Sequence, residues 1–119
     1  MANDVYFMLE VEIQAGQESN ARTLMRELSS AAEANEPGTL NYTCSVSADG
    51  KRSHFFERYT DSEAAMTHLG TFVEKFAGRF LEVFKITGLT VYGSPSAAVK
   101  EALAGFSPVY MERVVGFGR

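Results

Sequence analysis

From Val5 to Ile13 every second residue is apolar. Val5, Phe7, Leu9, Val11 and Ile13 share one side of the chain; Tyr6, Met8, Glu10 and Glu12 share the other. A period of two is that of a strand with one buried face. Ala15-Gly16 interrupts it, and the period then changes. Between Gln17 and Glu36, the residues Ala21, Leu24, Met25, Leu28, Ala31 and Ala32 recur at steps of three and four, which predicts an amphipathic helix. Glu18 stands four residues before Arg22, the favourable order for an ion pair on a helix surface. Pro37-Gly38 ends the helix.

The two-residue period returns over 39–48, with Leu40, Tyr42, Cys44 and Val46 on one face. Asp49-Gly50 is a strong hairpin signal and joins this strand antiparallel to the next, Lys51–Tyr59. Thr60-Asp61-Ser62-Glu63 reads as a capping box, with Thr60 as the cap, that opens a second helix. Gly70 is expected to bend or split that helix, after which Phe72, Phe76 and Phe80 fall on one face. A fourth strand is predicted over Val83–Tyr92, kinked at Gly88. The order β-α-β-β-α-β is the ferredoxin-like α+β arrangement, with both helices on one side of a four-stranded antiparallel sheet. Beyond it, Ser94-Pro95 predicts a helix start, Val99, Ala102 and Leu103 a short amphipathic helix, and Val109–Val115 a fifth strand. Residues 1–93 are thus expected to form the ferredoxin-like unit. Residues 94–119 form a helix-strand extension of the same domain, expected to cross the sheet edge of a partner subunit.

No helix of the chain itself covers the second face of such a sheet. Tyr6, Met8 and Phe56 nevertheless place apolar side chains there. Four strands present roughly 400 Å² of face, worth several kcal/mol if buried. A homodimer packed sheet against sheet is therefore expected.

Composition narrows the function. The 119 residues suffice for one domain. Net charge is −4 with no lysine or arginine cluster, which argues against nucleic acid and against anionic membrane surfaces. No apolar run approaches the roughly 20 residues of a membrane span. The start MANDVYF has no signal-peptide pattern, and Cys44, the single cysteine, cannot form an intrachain disulfide; a reducing cytoplasm is the expected compartment. Cys44 itself reads as a small strand residue rather than a nucleophile. Nine phenylalanines and no tryptophan indicate a dense core or an apolar cavity. No Cys/His metal spacing, nucleophile elbow or phosphate-cradling loop is present.

The candidate chemistry lies in His54–Leu69, HFFERYTDSEAAMTHL. A strand runs there into a capped helix, bringing a carboxylate (Glu57), a phenol (Tyr59) and an imidazole (His68) to one junction. His68 is the candidate base, because its ordinary pKa of ~6.5 allows proton uptake near neutrality. Glu57 shares a strand face with Phe55 and Tyr59; burial would raise its pKa and suit it to acid or base work, whereas its structural alternative is an ion pair with Arg52 or Arg79. Tyr59 is a candidate hydrogen-bond partner for a substrate oxygen. His54, on the opposite face, is expected at the dimer interface or in solvent. Phe72, Phe76 and Phe80 are core residues first and pocket lining second.

The chain resembles the antibiotic biosynthesis monooxygenase (ABM) family of dimeric α+β barrels. The resemblance covers residues 5–93. It is carried by the alternating first strand ending at Gly16, by Glu36-Pro37-Gly38, and by Arg52, Phe56-Glu57-Arg58-Tyr59, Asp61, Ala64 and His68-Leu69 in order. Tyr59 stands where many members have tryptophan, and Phe72 where many have a second histidine. Leu9, His68 and the lack of a later histidine set the chain apart from the haem-degrading branch. The resemblance implies a cofactor-independent monooxygenase of a quinol or polyhydroxylated aromatic molecule, needing no metal or flavin, with O₂ as co-substrate. It further implies His68, Glu57 and Tyr59 as catalytic residues and Leu9, Phe55, Phe72, Phe76 and Phe80 as the pocket. Two other functions are compatible with the same scaffold: a non-catalytic dimeric ligand-binding or stress-associated protein, and a non-redox isomerase.

Overall fold

A computed structural model describes residues 3–119. The first strand, β1 (Val5–Ile13), and the first helix, α1 (Glu18–Asn35), fall where the periodicity places them. They are followed by β2 (Thr39–Val46), β3 (Arg52–Tyr59), α2 (Ser62–Lys75), α3 (Ala77–Val83), β4 (Phe84–Gly93), α4 (Ala97–Leu103) and β5 (Val109–Met111). The sheet order is β2-β3-β1-β4-β5. The first four strands pair antiparallel, and this is the expected α+β class. The fifth strand is shorter than predicted. It pairs parallel to β4 of its own chain, which makes the sheet mixed and five-stranded.

Three local expectations change. The cap of α2 is Asp61, whose carboxylate accepts from the Ala64 amide at 2.8 Å, rather than Thr60; a carboxylate is the stronger acceptor at a helix start. Gly70 does not break α2. The interruption comes at Phe76 (φ −126°, ψ −22°), after which α3 turns so that Phe80 enters the core. Phe80 there meets Phe72, Phe55 and Phe84 at centroid distances of 5.1, 5.5 and 4.7 Å. The cap of α4 is Ser96 rather than Ser94, its hydroxyl accepting from the Val99 amide. The irregularity foreseen at Gly88 is a β-bulge: Glu10 pairs with Gly88 but Val11 with Ile86, leaving Thr87 as the extra residue.

The core has two lobes between sheet and helices. One gathers Val11, Leu24, Leu28, Phe55, Phe80 and Phe84. The other gathers Val5, Phe7, Tyr59, Val91, Val99 and Leu103, so α4 packs on this lobe. Leu9 packs against both. On β3, Phe55 belongs to the first lobe and Tyr59 to the second; Glu57 lies between them, and a polar seam divides the core.

Among the described residues, Ser53 Oγ is the one buried side-chain polar atom without a hydrogen-bond partner. An unsatisfied buried hydroxyl costs about 1–3 kcal/mol. Ser53→Ala is therefore expected to stabilise the fold by about 1 kcal/mol, read as a higher urea midpoint at unchanged slope; a lower midpoint contradicts it.

The face of the sheet away from α1 and α2 carries Tyr6, Met8, Phe56 and Tyr92. The Tyr6 and Phe56 rings lie 5.9 Å apart. The chain's last residues reach one end of this face and leave a groove of about 380 Å³ lined by Tyr6, Phe56, Tyr92, Met111, Arg113 and Phe117.

Candidate active site

Four elements deliver the polar seam. β3 supplies Glu57 and Tyr59, two residues apart and both turned inward by the pleat. α2 supplies His68 from its buried stripe. The end of α1 supplies Glu36, and β2 supplies Tyr42, paired across to Glu57. All but Tyr42, which is half-buried, are buried.

The imidazole is the centre. His68 Nδ1 is 2.8 Å from Glu36 Oε1, and His68 Nε2 is 3.4 Å from Glu57 Oε1. The Tyr59 hydroxyl donates to that same Glu57 oxygen. The Thr39 hydroxyl donates to Glu36 Oε1 at 2.9 Å. The rings of Tyr42 and Tyr59 each stand 5.4 Å from the imidazole, an aromatic enclosure suited to a cation. The protonation states follow from these contacts. Burial works to lower the His68 pKa, but the Glu36 hydrogen bond and the charges of Glu57 and Glu36 outweigh it and raise it. Burial pushes Glu36 up, yet its bond to His68 and that cation's charge bring it below the ordinary carboxylate range. Burial dominates at Glu57 and leaves it raised, against the His68 charge and the Tyr59 bond. Tyr59 and Tyr42 are pushed well above 10, first by burial and then by the Glu57 charge. The seam thus runs from a carboxylate held below its ordinary range (Glu36), through an imidazole raised above its own (His68), to a carboxylate raised by burial (Glu57).

Gly38 sets the spacing. Its carbonyl accepts from the Thr60 amide at 2.9 Å, and a Cβ built on it would come 2.6 Å from Ala64 Cβ. Neither atom has a rotamer by which to escape. Gly38→Ala is expected to push the start of α2 away, stretch Glu36–His68 and cost about 1–3 kcal/mol; an unchanged urea midpoint would refute it.

Among solved structures, MupZ from Pseudomonas fluorescens matches with a TM-score of 0.87 at 21% identity, over 98% of this chain and 95% of that one. A candidate antibiotic biosynthesis monooxygenase from Deinococcus radiodurans matches with a TM-score of 0.60 at 23% identity, over 78% and 94%. SnoaB, a cofactor-independent oxygenase from Streptomyces nogalater, matches with 0.66 at 16% identity, over 81% and 97%. The chain has the antibiotic biosynthesis monooxygenase fold. No protein-family model matches it, and no curated protein matches it in sequence. The MupZ match runs through nearly the whole chain, so that fold extends there over α4 and β5.

Within this fold, His68, Glu57 and Tyr59 are in mutual contact. Among the described residues Glu57 pairs with no arginine: Arg79 pairs with Glu27, and Arg52 lies exposed at the far end of β3. His54 is exposed, 3.4 Å from Glu10. Phe55 and Phe80 are fully buried in the first lobe, while Leu9, Phe72 and Phe76 pack against it half-buried. Cys44 is a half-buried thiol pushed by burial to about 12, unsuited to nucleophilic work. Sequence reasoning did not single out Glu36 or Tyr42 as site residues. A cleft of about 230 Å³ between α1 and β2 is walled by Ala32, Glu36, Thr39, Leu40 and Tyr42, so these two connect the seam to solvent.

Proposed function

We propose that this chain is a cofactor-independent monooxygenase acting on a quinol-like or polyhydroxylated aromatic molecule. The observation that carries the reading is the buried Glu36–His68–Glu57–Tyr59 series, with one member, Glu36, on the wall of a cleft. The ionised Glu36 takes the acidic proton of the substrate, and His68 passes proton charge inward to Glu57, whose raised pKa lets it hold a proton. His68 is thereby a relay with both nitrogens engaged. Tyr42 at the cleft is placed to orient a ring oxygen. The substrate anion supplies four electrons to O₂: one oxygen atom enters the substrate, the substrate loses two hydrogens in all, and the other oxygen atom leaves with them as water. Carboxylates rather than backbone carbonyls on both sides of His68 support this reading over that of a sealed structural histidine.

Oxygen uptake with a panel of hydroquinones and anthrone-like phenols tests it. Turnover above autoxidation is expected, falling at least 100-fold in Glu36→Gln and His68→Gln. Rates equal to autoxidation sink the oxygenase. One observation favours a second reading: an acid held high and a base held low share one imidazole, which suits proton shuttling within a single substrate. Exchange of substrate hydrogen with deuterated water without oxygen uptake would identify a non-redox isomerase.

Two copies are proposed to pair through the face bearing Tyr6, Met8, Phe56 and Tyr92. Light scattering is expected to give twice 13.1 kDa, and Tyr6→Glu with Phe56→Glu to halve it. A wild-type monomer refutes the pairing.

A further inference from the structure

The groove between α1 and β2 does not end at Glu36. Towards the start of α1 it widens into a cavity of about 560 Å³ lined by Arg22, Met25, Arg26, Ser29, Cys44 and Val46. Ser29 borders both this cavity and the cleft at Glu36, and Val46, Cys44 and Tyr42 follow one another along a single face of β2. Because they share Ser29 and follow the same face of β2, we take the two as one trough. β2 is an edge strand, so no neighbouring strand closes it.

The arginines are the unusual part. Arg22 and Arg26 are one turn apart on one helix face, a like-charge spacing that costs a helix a few tenths of a kcal/mol. The ion pair expected between Glu18 and Arg22 is not formed. Arg58 pairs with Asp4 and Arg79 with Glu27, but among the described residues neither Arg22 nor Arg26 has a carboxylate within ion-pair reach. Two uncompensated guanidinium groups therefore border the wide end of a trough whose floor (Met25, Cys44, Val46) is largely apolar and whose narrow end holds the ionised carboxylate.

We propose that Arg22 and Arg26 are an anchor for an anionic tail on the substrate, a carboxylate or phosphate at one end of an apolar stem. The inference rests on Glu36 being the reacting end. From Arg26 to Glu36 the helix rises roughly 15 Å, ten residues at ~1.5 Å each; that is the separation between anion and reacting ring. Paired guanidinium groups grip either oxyanion bidentately, and the apolar floor takes the stem.

Direct binding separates the anchor from the catalytic reading. The probe is a phenol joined by a saturated chain of about 12 carbons, matched to that ~15 Å, to a carboxylate; its methyl ester and its phosphate-ended analogue complete the set. Calorimetry on the wild type is expected to give at least tenfold tighter binding of the acid than of the ester, a preference shrinking in high salt. Arg22→Gln with Arg26→Gln is expected to abolish the preference, and Arg22→Lys with Arg26→Lys to retain part of it. Tighter binding of the phosphate analogue than of the acid would assign a phosphate head. Equal binding of acid and ester, or a preference that survives in the glutamine variant, overturns the anchor. These readouts need no oxygen uptake, so an inactive protein with the charge preference refutes the oxygenase alone. An active one without the preference refutes the anchor alone.

Discussion

His68→Ala is expected to destabilise the fold by about 3–5 kcal/mol, the usual consequence of removing one partner from a buried charged network. Two effects combine. Glu36 loses the 2.8 Å hydrogen bond and the charge that keep it ionised. Glu57 loses the cation that offsets its burial. Both carboxylates then face an imidazole-sized void between Tyr42 and Tyr59. Protonation of one or both is the cheapest escape, so the variant should lose least at low pH. A wholly apolar replacement gives the contrast. Glu36→Leu, Glu57→Leu and His68→Leu together leave no uncompensated charge, and apolar replacements of buried ion networks are often neutral or stabilising. The triple variant should recover most of the loss while lacking any turnover. Urea unfolding of the two proteins decides it. If the triple variant is no more stable than His68→Ala, the imidazole matters for packing rather than for charge. Recovery of stability without recovery of turnover would mark the seam as kept for chemistry.

The legible parts of this protein were those governed by period. β1, α1 and the β2–β3 hairpin follow from steps of two and of three to four, because burial of one face fixes register as strongly as any contact. The inward pair Glu57 and Tyr59 was visible for the same reason, as was the outward His54. The break at Phe76 was not: Gly70 is the weaker helix former, yet a Cβ there would meet nothing, and the turn is set instead by where Phe80 must go to reach Phe55 and Phe84. Nor was Glu36. A carboxylate at a helix C-terminus opposes the macrodipole, and that local conflict was the available signal of a distant cation. Only the tertiary approach of α2, permitted by Gly38, identifies that cation as His68.

Stability should peak in mildly acidic solution, between about pH 4.5 and 6.5, the ordinary values of the two groups that pair most closely within the seam. Glu36 sets the acid limb. Its folded pKa lies below its unfolded value, so its contribution is complete above 4.5 and is lost as pH falls through the folded pKa. Asp4, pushed up by burial but drawn lower overall by Arg58 at 2.6 Å, adds to the same limb. His68 sets the alkaline limb. Its folded pKa lies above its unfolded value, so its contribution is complete below 6.5 and disappears as pH rises through the folded pKa. Glu57, raised by burial, acts in the same direction: the folded state holds its proton longer than the unfolded chain does, and that advantage is lost as pH rises through its folded value. Urea midpoints from pH 3 to 9 should therefore fall on both sides of the window. Glu36→Gln should remove part of the acid limb and leave the share of Asp4. His68→Gln should remove part of the alkaline limb and leave the share of Glu57. An alkaline fall that persists unchanged in His68→Gln would mean that the imidazole is neutral in the folded protein, and the relay from Glu36 to Glu57 would then lack the cation on which it depends.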